Sequence, residues 1–157
     1  MKYLVLITVL VLCIPCHPAR AGAPTTPCVP GKVEQYEAKV QSLRTGYYPD
    51  DSDMEGGYVD REGKPLQTLK AYLAGKAPYV SVAMDGSDDQ LPYGTVVRIP
   101  AVELAFHKCI EFRIVDTGDR FEGKGTDKVD ICNDTEDHSL ASWTNGIADL
   151  YLVGHKN

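Results

Sequence analysis

Residues 114–132 read IVDTGDRFEGKGTDKVDIC. Asp116 and Asp130 stand at the two ends of a Gly-rich connection, each inside an apolar, β-prone run. Asp116 sits between Val115 and Thr117, and Asp130 between Val129 and Ile131. A carboxylate held in such a run is costly unless its charge is used or paired. Two of them on neighbouring strands, facing each other, form the arrangement that acid/base chemistry on a glycosidic bond needs. Register decides whether they do, because a slip of one residue turns either side chain to the opposite face.

Working outward, the flanking sequence continues the β pattern. Residues 79–84 (YVSVAM) alternate, residues 95–99 (TVVRI) follow a Pro92-Tyr93-Gly94 turn, and residues 110–115 (IEFRIV) alternate again. Residues 128–132 form another short strand, and residues 147–153 close as a last strand after the Asn145-Gly146 turn. Upstream, residues 22–31 are an extended lead-in. Val33, Tyr36, Val40 and Leu43 recur at helical spacing and predict a short amphipathic helix over 32–43. Residues 45–48 suit a strand and residues 49–57 an acidic loop. Leu66, Leu69 and Leu73 predict a loop followed by a helical turn or two, and residues 136–143 a short helix capped from Asp134 or Thr135. Several short strands with few helices predict a small barrel.

The first residues carry a compartment signal. Met1-Lys2 is a short basic start, residues 3–16 are apolar, and Ala19-Arg20-Ala21 fits a small-x-small cleavage site. This is the pattern of a secretory signal peptide, too short for a membrane span, and it predicts a secreted or periplasmic protein cleaved near Ala21. Removing 21 of the 157 residues leaves 136, enough for one domain with a core. The formal charge moves from −6 to −8 as Lys2 and Arg20 leave. That balance argues against nucleic acid or an anionic membrane surface as partner. An anionic glycan would have to be held by local groups. Cys28, Cys109 and Cys132 remain. In an oxidising compartment Cys109 and Cys132, each at a strand end, are the expected disulfide, which leaves Cys28 free or cross-linked to another chain. Zinc-site spacing is absent, and no metal or cofactor is expected.

These residues resemble a known family. VAMDGSDDQLPYGTVVRIP (residues 82–100), VDTG (115–118), the Gly-rich stretch and KVDIC (128–132) look like the three-aspartate domain. That domain is the catalytic double-psi β-barrel of membrane-bound lytic transglycosylase A and related cell-wall proteins. The similarity covers roughly residues 79–153, with Thr45-Gly46-Tyr47-Tyr48 resembling the approach to the barrel. Asp85, Asp116 and Asp130 fall at the three aspartate positions. The resemblance implies a mainly β fold, a six-stranded double-psi β-barrel with short peripheral helices. Its domain would run over 45–157, after a lead-in and helix over 22–44. It implies Asp130 as the single acid/base, Asp116 as its electrostatic partner and Asp85 as the third member of the set. The substrate would be peptidoglycan or a similar polysaccharide, with Tyr47, Tyr48, Thr95 and Thr117 as substrate-binding candidates and the protein a monomer. Two departures stand out. Gly118 is followed by Asp119 and Arg120 where the family often has a second glycine, and there is no room for the transglycosylase's second, groove-forming domain.

Simpler readings accompany these. Asp130 would serve equally as an ion-pair partner of Lys124, Lys128 or Arg113, and Asp85 before Gly86 as an Asx turn. Trp143 reads as core packing before sugar platform, and His107, His138 and His155 as surface residues. Asn133-Asp134-Thr135 is a glycosylation sequon, relevant in a eukaryotic source. Asp116-Thr117-Gly118 also matches an aspartic-protease loop, but that chemistry needs a second such loop, and no apolar-apolar-Gly partner segment follows. The rivals to a glycan-cleaving enzyme are a non-catalytic glycan-binding or wall-loosening module, like the expansin and barwin barrels, and a secreted protein-binding effector or inhibitor.

Overall fold

The computed structural model describes residues 27–51 and 57–155. The expected signal segment, with Cys13 and Cys16, lies outside the described residues. The strands are β1 (Ala38–Tyr47), β2 (Val80–Ala83), β3 (Thr95–Arg98), β4 (Phe112–Asp116), β5 (Lys128–Cys132) and β6 (Gly146–His155). The helices α1 (Leu69–Leu73), α2 (Pro100–Phe106) and α3 (Glu136–Ser139) are short. The six strands close into a barrel in the order β1-β5-β2-β4-β3-β6. β1 runs parallel to β5 and β2 parallel to β4, while the remaining neighbours are antiparallel, so this is no up-and-down meander.

Alternation builds the interior. Val80 and Val82 of β2, Phe112 and Ile114 of β4, and Val129 and Ile131 of β5 point inward and are fully buried, as is Val97 of β3. Each such side chain contributes about 1.5–3 kcal/mol on leaving water. The residues between them on β5, namely Lys128, Asp130 and Cys132, face outward.

Two expectations are corrected here. Residues 32–43 do not form a helix, and the barrel begins at Ala38 rather than at residue 45. Within β1, Lys39, Gln41 and Leu43 are exposed, while Val40, Ser42 and Arg44 are turned inward. That period-two pattern is hidden among the helical-period coincidences, and pairing with β5 on one side and β6 on the other selects the strand. The inward Arg44 donates to the Trp143 carbonyl at 2.7 Å, fastening the segment before β6 over the barrel. Gly46 lets that segment pass. A Cβ there would lie 2.5 Å from Thr144 Cγ2 and 2.8 Å from the Ser139 backbone.

The disulfide is the second correction. Cys28 bonds Cys109, 81 residues away, and Cys132 is a buried free thiol. β2 lies between β4 and β5. Cys132 packs with Tyr47 and Ala83, while Cys109 precedes β4 and meets the lead-in. The same corner holds the one fully buried carboxylate of the core, Glu103. It sits on α2, an element not assigned from the sequence although Pro100 at its first position is a helix-start signal. Glu103 receives Arg98 through Nε and Nη2 and the Gly31 amide at 2.9 Å. A buried carboxylate with fewer donors would not hold its charge. Trp143 packs edge-on against Phe106 and borders the core, in keeping with a packing role. The sequon asparagine, Asn133, is buried, and its amide nitrogen donates to the Ile131 carbonyl, so it offers no acceptor for a glycan.

Peptide mapping under non-reducing conditions should recover a Cys28–Cys109 linkage, with Cys132 unreactive to thiol reagents until the protein unfolds. Glu103→Gln should cost about 3–5 kcal/mol in denaturant unfolding, because it leaves the Arg98 guanidinium without its anion.

Candidate functional site

One irregularity places the carboxylates. Val82 pairs with Ile114, but the next residue of β2, Ala83, pairs with Asp116, so Val115 is skipped. Without this bulge Asp116 would share the inward face of Ile114. With it, Asp116 joins the outward row of Ala83. Ala83 also pairs with Asp130, and Asp130 with Thr45. The row therefore reads Thr45, Asp130, Ala83, Asp116 across four strands. The two aspartates flank the smallest side chain in it, with backbones about 10 Å apart by two inter-strand steps. Phe121, from the Asp119–Phe121 3-10 turn, closes the patch in a cluster with Ala83, Tyr47 and Cys132.

The two carboxylates live in different surroundings. Burial pushes the Asp116 carboxyl above the ordinary aspartate range. The Thr117 amide, 3.0 Å from Oδ1, and the nearby Tyr47 hydroxyl partly offset the rise, the charge of Asp60 adds to it, and Arg61 opposes it. Asp130 has the Lys128 ammonium 3.6 Å from Oδ1, and Lys128 in turn lies over the Phe121 ring. The ion-pair partner weighed from the sequence is thus present.

Of the other candidates, Tyr47 joins this site and is buried against it. Its hydroxyl lies near the Asp116 carboxylate and the Cys132 thiol but in hydrogen-bond geometry with neither. Burial pushes the Cys132 thiol up, which leaves it inert. Thr117 is exposed at the rim, accepting from the Gly86 amide at 3.0 Å. Tyr48 follows β1 and is half-buried. Thr95 does not join. It lies on the inward row with Ile114 and spends its hydroxyl on the Pro92 carbonyl at 2.8 Å.

Asp85 is close by with a different task. Its Oδ1 accepts from the Ser87 hydroxyl at 2.6 Å and the Ser87 amide at 2.9 Å, and its Oδ2 from the Gly125 amide at 2.9 Å. The Ser87 hydroxyl and the Gly125 amide hold it down at about 2. It is a permanent anion that clamps the Gly-rich loop to the turn after β2, the Asx-turn reading with a long-range bond added.

Sequence reasoning missed the hairpin over residues 58–66. Asp60, buried, accepts from the amides of Glu62 and Lys64 and from the Tyr93 hydroxyl at 2.6 Å. It thereby sets Arg61 beside Asp116 and Thr117. A Cβ on Gly86 would stand 2.9 Å from both Arg61 Nη1 and Thr117 Oγ1, so a larger residue there would displace one or both. The signal available was the Asp-Arg-Glu-Gly turn itself. Arg61 Nη1, Tyr47 Oη and Thr45 Oγ1 are buried without a hydrogen-bond partner within the protein, and all three border the aspartate row. Buried polar atoms are costly unless a further group or a water satisfies them. Arg44 Nε is the same case inside the barrel. Among the described residues no group of three or more His, Cys, Asp or Glu is arranged to hold a metal ion. No family model and no curated protein matches the chain.

The two clamped and buried aspartates should titrate with opposite signs in stability. Asp85 has a depressed value, so its contribution is complete above about 3.9 and disappears as pH falls toward about 2. Asp85→Asn should lower Tm at pH 7 and match the parent near pH 2. Asp116 has a raised value, so the folded state is penalised above the ordinary aspartate range. Asp116→Asn should raise Tm at pH 7, with the gain vanishing as pH falls below about 3.9.

Proposed function

We propose that this is a secreted polysaccharide-active protein of the lytic transglycosylase type, cleaving peptidoglycan or a related glycan with one aspartate as acid/base. The observation that supports it most is the bulge at Ala83, which sets Asp116 on the same outward row as Asp130. Both are in a patch edged by the buried Tyr47 hydroxyl and Arg61. A protonated carboxyl gives its proton to the glycosidic oxygen as the bond to the anomeric carbon breaks. The sugar's own C6 hydroxyl then attacks that carbon, and its proton returns to the same carboxylate as a 1,6-anhydro ring closes. No water is consumed, because the nucleophile is already part of the substrate.

The resemblance assigns the proton to Asp130. The surroundings favour Asp116 for it, since burial raises that carboxyl, whereas Asp130 has the Lys128 ammonium beside it. The Cys28–Cys109 disulfide suits an oxidising compartment, and no described helix is long and apolar enough to cross a membrane. The Lys128–Asp130 contact and the closure of the patch by Phe121 favour a second reading, a non-catalytic glycan-binding or wall-loosening module.

Mass spectrometry of purified peptidoglycan incubated with the protein should show anhydro-muropeptides. Loss of a general acid costs about 10²-fold or more. If Asp116 carries the proton, Asp116→Asn should abolish product while Asp130→Asn retains a residue of activity. The reverse pattern returns the role to Asp130. No soluble product from the parent, with the protein still sedimenting with the glycan, selects the binding module.

A further inference from the structure

A second surface feature lies away from the aspartates. It is a cleft of about 320 Å³ on the other side of the 58–66 hairpin, over the outer face of β4. Its size is that of a small-molecule site, about 300–1,000 Å³. Gly94 and Val115 line it without charge, and Tyr79 and Tyr93 bring two aromatic rings to it. Lys64, Arg113, His155 and a single carboxylate, Glu62, complete the lining. In a chain of net charge −6, two cations, Lys64 and Arg113, thus line one cleft.

The cations are pre-oriented. Arg113 lies over the Tyr79 ring at 4.5 Å and is bonded from Nε and Nη2 to Glu111 at 2.8 and 2.7 Å. Lys64 lies over the Tyr93 ring at 4.7 Å and is bonded to Glu62 at 2.8 Å. The Tyr93 hydroxyl is itself anchored on Asp60. Guanidinium carries five N–H donors and ammonium three. Glu111 takes Arg113 from one edge, which leaves the Nη1 pair, and Glu62 takes one donor of Lys64. Both side chains therefore keep N–H donors beyond these bonds, beside a ring-sized space with aromatic walls, which suits a ligand that carries acceptors.

We propose that this cleft binds a pyranose ring bearing a carboxylate, with Arg113 and Lys64 on the carboxylate and the tyrosines against the ring. The carboxylate would replace Glu62 as a partner of Lys64, whose side chain is more than half exposed, so the exchange breaks only a surface ion pair. The site does not depend on the aspartate chemistry. It meets the requirement set by the acidic chain, that an anionic sugar be held by local groups.

Amide NMR of the isotopically labelled protein, titrated with glucuronate, with glucose and with acetate, tests this. Glucuronate should give saturable millimolar shifts at Tyr79, Gly94 and Val115. Glucose should bind about tenfold more weakly or worse, and acetate should not saturate. Lys64→Gln and Arg113→Gln should each weaken glucuronate about tenfold. Lys64 is on the exposed hairpin, so its variant keeps the test decisive if Arg113→Gln fails to fold. Asp116→Asn and Asp130→Asn should leave glucuronate binding unchanged, whatever they do to glycan cleavage. Glucose binding as tightly as glucuronate, shifts confined to the aspartate row, parental affinity in the Lys64 variant, or no saturable shift would each overturn the assignment.

Discussion

The pairing of one β2 residue against two β4 residues is the constraint on which the site depends. A strand's side-chain period is two, so the skipped Val115 changes the face of everything after it. Ile114 ends the inward row in the core, and Asp116 opens on the outer surface beside Ala83. Had the ladder continued in register, the Asp116 carboxylate would have followed Phe112 and Ile114 into the largely apolar interior, where an unpaired charge is costly. The bulge therefore serves stability and the placement of the row together, and the small side chain at position 83 leaves space there that Tyr47 and Phe121 cover.

Charge is distributed with the same economy. Three buried carboxylates, unlike Asp116, have several donors each. Glu103 collects Arg98, Gly31 and Ile110, Asp85 collects Ser87 and Gly125, and Asp60 collects two amides and Tyr93. Each of these ties together segments distant in sequence. Asp116 is the exception among them. It is partly buried, and its backbone support is the single amide of Thr117. Burial with so little support is what raises its carboxyl above the ordinary aspartate range.

The hairpin over residues 58–66 links the two surface features. Asp60 anchors it to Tyr93, Arg61 leans toward Asp116, and Glu62 and Lys64 face the β4 cleft. One short turn thus furnishes a wall to each side, with a cation on both.

The sequence by itself determined the β class and the small closed barrel, because alternation and turn residues act locally and are legible in order. The strands over 80–83, 95–98, 112–116, 128–132 and 146–155 follow from that pattern, as does the α3 cap at Thr135, whose hydroxyl accepts from the His138 amide. What depended on partners distant in sequence was decided only by tertiary structure. Residues 38–47 became a strand because β5 and β6 flank them, against a helical spacing that misled locally. Cys109 found Cys28 rather than Cys132 because a third strand separates β4 from β5 and the lead-in folds onto the turn before β4. The facing of Asp116 and Asp130, the service of Asp85 as a clamp, and the arrival of Arg61 at the site all rest on register and loop packing. Those are properties of pairs of segments, and no single segment encodes them.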